Sequence, residues 1–181
     1  MKKTTLFGCL VWVILSSCNM NSPTEYFSRA ALNCNFLYGF AGDVLHRQLA
    51  EPSVKLVNEK TLETAPMKKV EFLQTKIETI EKNLESINSL GNEADAAEMI
   101  KASKDLYAFV IPVYKNEYMQ LAKLYDDGAN SASIESAQNQ IISKYQSKFL
   151  ELYDKVWEKG KAYASKNGIT VRESNPSPGN Y

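Results

Sequence analysis

Histidine is nearly absent from this chain: His46 stands alone among 181 residues. A ferritin-like di-metal centre takes two Glu-x-x-His pairs from facing helices, and one histidine cannot supply them. A zinc site of histidine and cysteine has only His46 and Cys34 to draw on. A haem would have to join His46 to Met67, Met99 or Met119, and nothing in their placement supports that. No cofactor and no metal is therefore expected, and His46 reads as a residue near a helix end, facing the dipole or solvent. Glycine is sparse too. No glycine-rich phosphate loop follows a strand, and neither Gly-x-Ser-x-Gly nor Ser-x-x-Lys with its partner motifs occurs. No carboxylate pair is set apart for acid–base work, so the chain reads as non-enzymatic. An excess of one charge is also missing: 21 basic residues balance 21 acidic ones. Nucleic acid asks for a concentrated basic face, so no nucleic-acid partner is expected. A membrane span would need about 20 consecutive apolar residues, and the apolar run from Leu6 to Leu15 is too short.

That run has a different use. Met1-Lys2-Lys3 precedes it and Ser16-Ser17-Cys18-Asn19 closes it, the order of regions in a secretory signal. Leu15-Ser16-Ser17-Cys18 resembles the lipobox of bacterial lipoproteins. The resemblance covers the first 18 residues. It implies removal of residues 1–17, a diacylglyceryl group on the Cys18 thiol and an acylated new N-terminus. Two acyl chains suffice for stable anchoring, since each buried methylene contributes about 0.8 kcal/mol. Residues 18–22 then form a lipidated tether. Asn19, where that class uses aspartate for inner-membrane retention, implies the outer membrane of a bacterial cell envelope. Without Lys2 and Lys3 the processed chain carries 19 basic against 21 acidic residues. Cys9 leaves with the signal and Cys18 is lipidated, so Cys34 has no partner for an internal disulfide. It reads as a small buried hydrophobe, with an intermolecular disulfide as the alternative.

The remaining chain reads as all-α. Ser22-Pro23 with Glu25 is a helix start, and a first helix is expected over 23–50, ending before Pro52. Its segment Ala30 to Gly42 carries no formal charge and reads as a largely buried core helix. Residues 51–66 are less regular, with "VKLV" as a short extended piece. Over 66–90, Val70, Leu73, Ile77, Ile80, Leu84 and Ile87 recur at alternating spacings of 3 and 4. This is a heptad seam that packs within the chain or on a second copy, with lysines and glutamates on the solvated positions. A third helix is expected over 93–126, kinked or broken near Pro112, and a fourth over 132–166, stopped by Asn167-Gly168. Four long helices with short connections imply an antiparallel up-down-up-down bundle over 23–168. Residues 169–181 hold a short extended segment and a tail disordered by composition.

Seven of the ten tyrosines fall between Tyr107 and Tyr163. Two readings stand. Tyr107, Tyr114, Tyr118, Tyr125, Tyr153 and Trp157 form a surface that grips a protein partner or a glycan, or they fill the core with their hydroxyls at its edge. The functional expectation is a lipid-anchored envelope protein whose bundle serves adhesion, scaffolding or accessory binding. The alternative is a carrier that holds a small apolar ligand between helices opened by Gly39, Gly42 and Pro112.

Overall fold

The computed structural model describes residues 21–172. The expected signal, the lipidated Cys18 with most of its tether, and the tail from 173 onward lie outside these residues. The described chain is mostly helical, with one small two-stranded hairpin.

Helix α1 (Pro23–Ala30) starts at the capping box that its sequence announces. The Ser22 hydroxyl accepts the Glu25 N–H at 3.2 Å and the Glu25 carboxylate accepts the Ser22 N–H at 2.9 Å. The expected single helix over 23–50 does not continue. It tightens into a 3-10 turn (Leu32–Leu37), passes through bends, and resumes as α2 (Asp43–Ala50). The physical reason lies in the intervening residues. Asn33 and Asn35 are poor helix formers, Gly39 takes φ +81° and Ala41 φ +49°, and both angles lie outside the helical region. A Cβ on Gly39 would stand 2.5 Å from the Val44 Cβ.

The less regular stretch that follows is a hairpin: the extended piece expected at "VKLV" lies in its first strand, and a second strand, which was not expected, pairs with it. Strand β1 (Ser53–Asn58) pairs antiparallel with β2 (Glu63–Met67), with a bulge between Leu56 and Asn58. The Asn58 side chain accepts the N–H groups of Lys60 and Thr61 and so closes the turn.

Helix α3 (Lys69–Asn88) buries Leu73, Ile77, Ile80 and Ile87 of the expected seam. Its first N–H groups are satisfied from far along the chain. The Asp126 carboxylate accepts from Lys69 at 2.8 Å and Val70 at 3.0 Å, a favourable place for an anion. Helix α4 (Ala97–Val113) runs through Pro112 into a π-turn (Tyr114–Tyr118) and on into α5 (Met119–Asp126). The proline thus widens the helix instead of ending it, and the Asn116 amide donates to the Pro112 carbonyl at 2.8 Å. Helix α6 (Ser131–Lys166) is capped by Asn130. It packs along α4, while α3 packs on α4 and α5, and α1 on α6. Gly160 admits that last contact, since a Cβ there would lie 2.9 Å from the Ala31 Cβ.

This order gives the molecule two poles. Arg29 of α1 donates to Ser89 just past the end of α3. Strand β2 leads directly into the start of α3. The N-terminal end of the described chain and the hairpin are therefore separated by the 20 residues of α3, about 30 Å at 1.5 Å per residue. Gly39→Ala should destabilise the fold by at least about 2 kcal/mol, from left-handed strain and the clash with Val44 together. Urea denaturation checks this, and an unchanged midpoint would show that the bend at 38–42 does not need glycine.

Candidate functional site

The sequence-selected aromatics divide into two groups. Tyr107, Tyr114 and Tyr118 are 0 %, 1 % and 0 % exposed. They belong to the core and offer no surface to a partner. Their helical spacing on α4 and the π-turn aims them at the chain's irregular segment. Phe40 from that segment sits among them, 5.3 Å from the Tyr114 ring, 5.8 Å from Tyr118 and 4.9 Å from Phe149. The hydroxyls reach the bends. Tyr107 donates to the Asn33 carbonyl at 3.1 Å, and the Ala41 N–H donates to the Tyr118 hydroxyl at 2.8 Å. Tyr153, half-buried on α6, donates to the Asn35 side-chain oxygen at 2.8 Å. Burial pushes the Tyr107 and Tyr118 hydroxyls upward from the usual tyrosine range, which keeps them protonated. Tyr125 is half-buried and accepts from Gln138 at 2.8 Å. Trp157 is half-buried beside Tyr153. The expected binding aromatics are thus chiefly a clamp on residues 31–42.

Cys34 lies inside the same region. It is fully buried, 3.4 Å from the Ser103 hydroxyl, and burial pushes its thiol up to about 12. Such a thiol is a poor nucleophile. His46 stands about one turn before the end of α2, near the helix end as expected, but it does not face solvent. It is 7 % exposed with its ring near Tyr118, and Nε2 has no hydrogen-bond partner. Burial holds its pKa below the usual 6.5, partly offset by the charge of Asp43. Among the described residues no cluster of three or more histidine, cysteine, aspartate or glutamate side chains is placed to hold a metal ion, and no helix is long and apolar enough to cross a membrane.

The surface feature that periodicity did not reveal is the second strand of the hairpin and the outward turn of its aliphatic residues. Lys55 turns towards the body and pairs with Glu71 of α3 at 2.6 Å. Val54 and Leu56, its neighbours on the opposite face, are 61 % and 52 % exposed, and Val57 and Leu62 are 52 % and 73 % exposed. In β1 the binary pattern is inverted, with Ser53 and Lys55 half-buried and Val54 and Leu56 exposed, the reverse of a half-buried sheet, whereas in β2 the half-buried residues are Ala65 and Met67. Pro66 opposes Val54 and lacks an N–H. Among the described residues the sheet has only these two strands, so β1 keeps one edge without a strand partner.

A groove of about 750 Å3 opens beside this hairpin, between α2 and α3. Phe36, Val44, Val54, Met67 and Phe72 form its apolar lining. Arg47 and Lys76 bring positive charge to it, and Glu51 negative charge. No family model, curated protein or solved structure matches this chain.

His46 yields a pH dependence with a definite sign. Its folded-state pKa is depressed, so the unfolded chain binds the extra proton first as pH falls. The stability it allows is whole above pH 6.5 and is lost as pH drops through the lower folded value. Urea midpoints measured from pH 7.5 down to 5 should fall in the wild type and fall less in His46→Leu. Equal slopes in the two proteins would remove His46 from the account.

Proposed function

We propose that this protein is a non-enzymatic, lipid-anchored protein of a bacterial cell envelope that presents its hairpin pole to a partner protein. Cys18 carries the lipid and the outer membrane holds it. The helical body acts as a spacer: α3, the α4–α5 path and α6 are three arms of an antiparallel up-down-up-down bundle, and the broken α1–α2 segment is the fourth. The hairpin carries the reading. Val54, Leu56, Val57 and Leu62 are each more than half exposed on this one hairpin, a concentration of aliphatic surface that suits a docking site, and the free β1 edge offers main-chain pairing to an extended segment.

The two poles support the same arrangement. Cys18 stands four residues before Ser22, a reach of about 14 Å when fully extended. That is shorter than the roughly 30 Å of α3, so a molecule standing on its anchor holds the hairpin clear of its own membrane. Aliphatic side chains on a strand suit a protein partner better than a glycan, which calls for an exposed aromatic platform. The carrier alternative draws no support from the region around Gly39 and Pro112, where Phe40, Phe109, Tyr114 and Tyr118 fill the space against one another.

The test is affinity capture of the lipidated protein from its own envelope, beside Cys18→Ser and Leu56→Ser/Leu62→Ser. The hairpin variant should keep its stability within about 0.5 kcal/mol and lose the proteins captured by the wild type. Retention of the same proteins by that variant would contradict the hairpin as the docking element. Equal capture by Cys18→Ser from soluble material would contradict the role of the anchor.

A further inference from the structure

The groove between α2 and α3 carries a charge arrangement that the hairpin does not explain. Lys76 sits on the second turn of α3 and lies half-buried in the groove wall. Its ammonium stands 4.5 Å from the centre of the Phe36 ring, a cation–π contact with an exposed ring. No carboxylate pairs with it: none of the ion pairs among the described residues includes Lys76 or Arg47. Burial pushes the Lys76 pKa below the usual lysine range. The single carboxylate of the lining is Glu51, and the Lys69 ammonium donates to the Glu51 carbonyl beside it.

A lysine with a flexible stem ordinarily moves its head into water. Here the head stays on the face of the Phe36 ring, half-buried, with no carboxylate paired to it. The groove therefore presents two unpaired cations above an aliphatic and aromatic floor. Its volume of about 750 Å3 falls within the range of small-molecule sites, roughly 300–1,000 Å3.

We infer that this groove binds a single-chain carboxylate amphiphile, a fatty acid by chemical class, with the tail on Phe36, Val44, Val54 and Phe72 and the carboxylate on Lys76 and Arg47. Burial of the tail supplies the attraction, and the charge-assisted contacts fix its direction. A free amphiphile fits better than a bilayer surface, because the apolar lining and the cations bound one groove of about 750 Å3, the size of a single-ligand site and not of a flat headgroup layer. The site stands on the groove alone and requires neither the anchor nor hairpin docking.

The experiment is calorimetric titration of the full chain carrying Cys18→Ser with monomeric dodecanoate. Dodecanol and dodecyltrimethylammonium are titrated in parallel, together with phosphatidylglycerol vesicles and an acidic amphipathic peptide. The expected result is saturable one-to-one binding of dodecanoate, at least about tenfold weaker for the neutral and cationic chains. Lys76→Met should weaken it by a similar factor while melting no lower than the wild type, because it removes an unpaired charge from an apolar wall. Lys76→Arg should retain binding, and so should Leu56→Ser/Leu62→Ser. Absence of saturable binding would overturn the inference. So would wild-type affinity in Lys76→Met, equal binding of the cationic chain, or binding confined to the vesicles or the peptide.

Discussion

A buried backbone N–H must find an acceptor, and in this protein that requirement falls on Ala41. Its φ of +49° takes it out of any helix, and it is fully buried, so no water can serve it. The Tyr118 hydroxyl accepts its proton at 2.8 Å. Leaving such a donor unpaired costs about 1–3 kcal/mol. Tyr107 and Tyr153 hold Asn33 and Asn35 of the same segment. The three hydroxyls together satisfy backbone and side-chain groups where the first helix breaks, while the neighbouring Tyr114 hydroxyl and His46 Nε2 are left without a hydrogen-bond partner. Because it breaks, α2 packs on α5 instead of continuing the line of α1, and a groove opens between α2 and α3.

The π-turn belongs to this arrangement. Tyr114 and Tyr118 both lie in it and stack with ring centres 5.1 Å apart. Pro112 removes one backbone donor just before it, and the wider turn brings both rings against Phe40. A feature that weakens helix α4 locally thus provides the packing that stabilises the broken segment across from it. Functional positions in helices often coincide with such turns. Here the turn acts indirectly, through the segment that shapes the groove.

Much of the helical skeleton was legible in the residues. The seam of α3, the capping box at Ser22 and the long reach of α6 follow from periodicity and local capping, which act within a few residues. The break at 31–42 was harder to see because an uncharged stretch looks alike whether it is a buried helix or a buried bend. Asn33, Asn35 and Gly39 were the available signals. The cap that Asp126 places on α3 bridges residues 57 apart along the chain, and no local pattern announces it. The alternation in β1 is visible in "SVKLV", but which face turns outward depends on the Lys55–Glu71 pair and so on tertiary structure. Lys76 belongs by sequence to the solvated positions of a heptad, and only the placement of Phe36 above it reveals otherwise. The tyrosines were recognisable as special, but whether they grip a partner or the chain itself depends on the fold.

The groove depends on the bend, and the bend depends on the clamp, so hydrogen–deuterium exchange on Tyr118→Phe is the direct test. The clamp predicts that Ala41 loses its protection and that residues 31–50 exchange faster, while α4 and α6 stay protected. Unchanged exchange at Ala41 and through α2 would contradict it, and the broken first helix would then have to be held by packing alone.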